Sequence, residues 1–240
     1  MSLAEENPYA VFSRVAAEVG VDERVTFLRR TYLHLGAAVF AFAGLAAVLL
    51  NLPGVDNLVM RLFDAGRLGF LAILLGFMAA AWVADRWARS ATSPGLQYAG
   101  LSLYVVAEAV LFVPLLFIAD RFYDNAIETA ALITLLVFGG LTTVVLATQR
   151  DFSFLRNALW VGSFAAIAVI IASLLFGFHL GLLFVGAMIM LAAGYILYDT
   201  SNVLHHYRTD QHVSAALALF ASVMLMFWYV LRLVMSLKRR

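Results

Sequence analysis

Seven long, predominantly apolar runs dominate this sequence, near 31–50, 68–84, 96–119, 129–147, 158–178, 181–199 and 213–236. Each is about the length, roughly 20 residues at helical rise, that crosses the hydrocarbon core of a bilayer. A backbone in lipid must satisfy its own hydrogen bonds, which leaves helices or a closed barrel. A barrel would read as short alternating segments instead of all-round apolar runs. The expectation is therefore an all-α membrane protein with seven transmembrane helices and the lipid bilayer as its first partner. Apolar residues fill 64% of the 240 positions and charged residues 13%, against about 25% charged in ordinary soluble domains.

The breaks between runs carry loop chemistry: Pro53 and Gly54 within 51–55, Pro94 within 90–95, and the polar stretch 120–125. Trp82, Trp87 and Trp160 fall near span ends, where amphipathic rings favour the headgroup layer. Gly36, Ala43 and Ala47 on the first run, and Ala187 and Gly194 on the sixth, are small enough to let helix backbones approach. The division expected is a cytoplasmic N-terminal segment over 1–30 and one transmembrane domain over 31–237. The first thirty residues are interrupted by charges from Glu5 to Arg30, so a cleavable signal is not expected. Asn7, Pro8 and Tyr9 suggest a loose start before a short surface helix.

Loop charge sets the expected orientation. The N-terminus and the second, fourth and sixth connections together hold nine basic residues: Arg14, Arg24, Arg29, Arg30, Arg86, Arg89, Arg150, Arg156 and Arg208. The other connections hold three, Arg61, Arg67 and Arg121. A cytoplasmic N-terminus follows. Arg232, Lys238, Arg239 and Arg240 dissent: either the tail lies outside after seven crossings, or one run is re-entrant.

Ionisable groups inside a bilayer are functional candidates by default. Glu108 lies near the middle of the third run with no basic residue in that run. It reads either as a proton or cation site or as a neutral carboxylic acid bonded to a neighbouring helix. Asp199 lies toward the end of the sixth run, where helical spacing stacks Tyr195, Asp199, Asn202 and His206 on one face. That polar stripe reads as a route in from the cytoplasmic side, or as an interfacial acid that caps the next turn or pairs with Arg208. Arg232 is close enough to the basic end of the last run to snorkel to the headgroups.

Several function classes are excluded or disfavoured. The absence of cysteine removes disulfides, thiolate metal sites and cysteine nucleophiles. A net charge of +1 gives no basic footprint for nucleic acid. His205, His206 and His212 lack the spacing of a metal site. No phosphate loop, nucleophile elbow or metalloprotease helix is present, so neither an enzyme nor a cofactor is expected.

The sequence resembles the Bax inhibitor family of transmembrane proteins, whose bacterial branch includes a modulator of a membrane protease and a pH-sensitive calcium leak. The likeness rests on Ile196-Leu-Tyr-Asp-Thr-Ser-Asn-Val203 with its His-rich connection, on Arg150-Asp-Phe-Ser-Phe-Leu155, and on Phe27-Leu-Arg-Arg-Thr-Tyr-Leu-His34 at the first helix. It implies a seven-helix bundle with six helices around a central seventh, in a bacterial inner membrane. In the calcium-leak members two aspartates on the sixth and seventh helices share a proton and gate a pore, with a basic residue closing the second helix. Asp199 matches the first aspartate, Arg86 the basic residue, and Ser222 occupies the place of the second aspartate. The resemblance thus implies a calcium- or proton-leak pathway with an altered pH sensor. The rival from another class is a non-conducting regulatory subunit of a membrane protease or other large membrane complex.

Overall fold

The computed structural model describes residues 15–90 and 93–238. Asn7, Pro8, Tyr9, Arg14, Arg239 and Arg240 lie outside them. Eight helices are found among the described residues: α1 (Val21–Leu50), α2 (Val55–Asp64), α3 (Gly66–Ala88), α4 (Pro94–Phe122), α5 (Ala126–Thr148), α6 (Leu155–Phe176), α7 (Leu182–His205) and α8 (His212–Lys238). Seven of them, all but α2, are long and apolar enough to cross a membrane. Helix α1 begins ten residues ahead of its apolar run and carries the charged stretch up to Arg30 within the helix.

Helix α2 is an addition to the seven runs. Its Val55 and Val59 are buried, while Asp56, Arg61 and Asp64 are exposed. Val59 packs with Val113 of α4 and with Leu49 and Leu50 at the end of α1. One apolar stripe on ten residues makes a shelf on the bundle, too short to span. Gly54 lies at φ 90°, a left-handed conformation that costs glycine nothing, and so starts α2 directly after Pro53.

Helix α8 is the centre. It packs against α1, α3, α4, α5 and α7, whereas α6 packs on α7 and touches α3. Ala215, Ala216, Leu219, Phe220, Met226 and Leu231 of α8 are fully buried. The other spans keep one face outward, with Phe40, Trp82, Trp160, Leu183 and Met190 more than half exposed to the lipid side.

Helices α3 and α4 pack backbone against backbone at Gly100. A Cβ on Gly100 would lie 2.5 Å from the Ala84 carbonyl oxygen and 2.6 Å from the Ala88 nitrogen, so only glycine fits there. Of the small residues singled out in the sequence, Gly194 lies under the Leu159 side chain. Gly36 has open space around it, and Ala43, Ala47 and Ala187 are exposed.

The two ends of the bundle are tied by different contacts. At one end Ala16 N–H donates to the Tyr207 carbonyl (2.9 Å) and Thr209 Oγ1 donates to Glu23 (2.9 Å), joining the start of α1 to the α7–α8 turn. At the other, Arg121 at the end of α4 reaches Asp56 of α2 (3.4 Å), and Lys238 Nζ donates to the Asp124 carbonyl. Val15 and Lys238 therefore lie at opposite ends, and α8 makes a complete seventh crossing with no re-entrant run among the described residues.

Candidate functional site

The turn from α7 to α8 brings two polar side chains face to face. Asp199 lies fewer than two turns before the end of α7, and Ser222 nearly three turns into α8. Ser222 Oγ donates a hydrogen bond to Asp199 Oδ2, and it also lies 3.2 Å from the Ala218 carbonyl on its own helix. Ser222 is 3% exposed, whereas Asp199 and Ala218 are half-buried. The carboxyl is thus held against α8 by a neutral hydroxyl. The serine suits either charge state. A carboxylate accepts its proton; a carboxylic acid donates to Oγ, and the serine proton turns to the Ala218 carbonyl.

The cation that Asp199 feels is Arg89, the residue that ends α3. Its Nε donates to both carboxylate oxygens of Asp85 at 2.8 and 2.9 Å. Burial works against the Arg89 charge, but acidic neighbours outweigh it, Asp85 by hydrogen bond and charge among them, so its pKa rises above the ordinary arginine value. Burial pushes the Tyr207 phenol up to about 12, against the pull of Arg89, which leaves it a neutral hydroxyl at this mouth. Arg86, one turn earlier on α3, is exposed and has no ion pair among the described residues. The guanidinium in electrostatic reach of Asp199 is that of Arg89.

Deeper in the bundle, Glu108 of α4 is 5% exposed. It lies within hydrogen-bonding reach of the Tyr104 hydroxyl one turn earlier, and that hydroxyl is in electrostatic range of Glu108, Asp85 and Asp199 together. The Tyr104 ring is held edge-on by Phe77 (5.9 Å) and Phe220 (6.1 Å). Tyr104 is the residue that sequence reasoning missed, although its spacing of four from Glu108 sets the two on one face of α4; its ring contacts come from α3 and α8.

The proposed stripe on α7 does not act as one unit. Tyr195 is hydrogen-bonded to Ser163 of α6 at 2.8 Å, away from α8. His206 is exposed and 3.8 Å from Asp151. Asn202 is half-buried, and its backbone carbonyl accepts from His206 N–H (2.8 Å) and Tyr207 N–H (3.0 Å) to close the helix. Arg208 pairs with Asp210 and not with Asp199.

The short loop before α6 docks on α7. Phe152 N–H donates to Ser201 Oγ (2.8 Å), and Ser201 Oγ lies 3.3 Å from Asp151 Oδ1. Ser153 N–H bonds the same carboxylate at 2.8 Å and holds the Asp151 pKa below the usual carboxylate value. Two of the three segments that carry the resemblance, 150–155 and 196–203, are thereby each other's partners. A third contact at this end sets the His34 ring 5.0 Å from His212 and 3.2 Å from the Tyr98 hydroxyl. Among the described residues no three His, Asp or Glu side chains converge as a metal site.

The profile of a protein family described as "Inhibitor of apoptosis-promoting Bax1" matches residues 24–240. An uncharacterized protein of Pseudomonas aeruginosa is 28% identical over 233 residues, covering 95% of this chain and 96% of its own. Protein lifeguard 4 of Mus musculus is 24% identical over 238 residues, 95% of this chain and 92% of its own. A Golgi anti-apoptotic protein of vaccinia virus is 32% identical over 120 residues, 47% of this chain and 48% of its own.

Proposed function

The chain belongs to the Bax inhibitor family, and from that premise we propose that it is a bacterial inner-membrane protein forming a slow pathway for a cation or a proton. In this reading its pH sensor holds one carboxyl where the calcium-leak members hold two, and the N-terminus faces the cytoplasm. Full-length likeness to proteins of Pseudomonas aeruginosa and Neisseria meningitidis supports the bacterial setting. No reaction is catalysed; the protein acts by binding and passage.

The observation that carries the reading is the half-buried Asp199 set against buried Ser222, with Arg89 and Tyr207 at its mouth. A carboxyl near the end of a membrane-spanning helix, bonded to a neutral hydroxyl, is suited to take up a proton or a partly dehydrated cation. With a single acid the site lacks the like-charge coupling that makes two carboxyls titrate as a pair. Calcium or proton flux into dye-loaded liposomes tests this directly. Slow flux above protein-free vesicles, reduced by Asp199→Asn, is the expected result. Flux no greater than in empty vesicles would instead favour a non-conducting regulatory subunit, and co-purification of a stoichiometric membrane partner would then identify it.

A further inference from the structure

At the end of the bundle opposite Asp199, a groove of about 570 Å³ opens between α2 and α3 on one wall, α4 on the floor and α8 on the other wall. That is within the range of roughly 300–1,000 Å³ typical of small-ligand sites. Phe63, Phe70, Pro114, Trp228 and Met235 line it, and the Arg232 guanidinium shares the lining. The proline within α4 helps to shape the floor, because it cannot donate to the preceding turn and leaves the helix locally open.

Arg232 sits about 9 Å along α8 from its last described residue, Lys238. Among the described residues it has no ion pair and no side-chain hydrogen bond. Of the acids at this end, Asp56 and Asp120 face Arg121, Asp64 is exposed on α2, and Asp124 and Glu128 are exposed around the start of α5; none of them pairs with Arg232. A snorkelling arginine on a lipid-facing surface would have open bilayer around its stem. Arg232 instead shares a groove with Phe63, Phe70 and Trp228 and is the one charged residue among the described residues of its lining.

We propose that this groove binds one anionic phospholipid of the surrounding bilayer, its phosphate on Arg232 and an acyl chain between Phe63, Phe70 and Trp228. The planar guanidinium presents paired donors to phosphate oxygens, and the apolar walls take the chain. A zwitterionic lipid offers the same phosphate but adds a cationic head that Arg232 repels. The preference is therefore for net negative lipid, about fivefold for one interfacial cation.

The test uses the full chain in nanodiscs of dioleoyl phosphatidylcholine, with or without dioleoyl phosphatidylglycerol. A diazirine-bearing phosphatidylglycerol should label peptides from 62–70, 114–118 and 228–236 in the unmodified protein, and unlabelled phosphatidylglycerol should displace it about fivefold better than phosphatidylcholine. Arg232→Gln should remove that preference, Arg232→Lys should keep part of it, and Arg156→Gln, remote from the groove, should leave it intact. Inorganic phosphate should not compete. Labelling spread evenly over the lipid-facing helices, equal displacement by both lipids, or competition by free phosphate would each overturn the proposal. Because the labelling pattern is read on the unmodified chain, it decides the matter even if Arg232→Gln fails to fold.

Discussion

Ser222 of α8 donates its hydroxyl proton to the carboxyl of Asp199 on α7, and the same hydroxyl lies 3.2 Å from the Ala218 carbonyl one turn below. A carboxyl with a neutral, adaptable partner has no like charge to fight. Calcium flux in the parent should accordingly be small, and should change with pH in at most one gradual, single-proton step. Ser222→Asp places a second carboxyl against the first, and two acids at this distance must share a proton, so their titrations separate. That variant should show flux that changes with pH in two separated steps in the same liposome assay. Two such steps in the unmodified protein, abolished by Asp199→Asn, would sink the single-acid reading and point to Glu108 as the second acid.

The spans were legible because an apolar run of bilayer length has too much apolar surface for a small soluble core to cover, and the resemblance pointed to positions 199 and 222. Helix α2 was not legible. Its apolar stripe of Val55 and Val59 is shorter than a span and follows directly on Pro53 and Gly54, which read as a simple turn. Arg89 was passed over for Arg86 because both lie at the same helix end, and only the position of α7 and its turn decides which guanidinium Asp199 feels. Tyr104 was legible in part: its spacing of four from Glu108 could have marked it, whereas the contact of its ring with Phe220 of α8 comes only from the fold.

Gly100 should be among the least replaceable residues of the chain. A methyl there would meet the Ala84 carbonyl oxygen at 2.5 Å, and backbone atoms cannot rotate away as a side chain can. Gly100→Ala should force α3 from α4 and cost about 1–3 kcal/mol, the range for overpacked cores. Gly36→Ala meets nothing within 4 Å and should be neutral. Thermal unfolding in one detergent compares the two.

Asp151 supplies a pH-dependent contribution outside the membrane spans. Its pKa is lowered in the folded protein, chiefly by the Ser153 N–H, from an ordinary value of 3.8. A depressed carboxylate stabilises the fold above its unfolded pKa, and that contribution is lost as the pH falls through the folded value. Asp151→Asn keeps an acceptor for Ser153 but does not titrate. Parent and variant should therefore differ near neutral pH and converge below about pH 3–4; a constant difference down to about pH 2 would exclude Asp151 as the source. The effect should be modest, because the side chain is 47% exposed.

The ties at the two ends of the bundle put Val15 and Lys238 on opposite faces. The protein has no cysteine, so single cysteines report without background. Ala17→Cys and Ser236→Cys are both at exposed positions. In intact cells an impermeant maleimide should label Ser236→Cys and reach Ala17→Cys only after lysis. Labelling of both from the same face would mean that one run does not cross.

Glu108 tests what kind of acid the bundle centre tolerates. It is 5% exposed, no cation among the described residues pairs with it, and its near partner is the Tyr104 hydroxyl. A buried carboxylate held by a cation would lose about 3–5 kcal/mol when neutralised, because the cation is left uncompensated. A neutral acid bonded to a phenol loses little when it becomes an amide of the same shape. Glu108→Gln should then express and unfold like the parent, within about 1 kcal/mol. Glu108→Leu removes the partner of a hydroxyl that the surrounding helices enclose, and should cost about 1–3 kcal/mol. If Gln instead abolishes folding while Glu108→Asp does not, the charge is needed, and a cation must reach Glu108 when the protein is in its membrane.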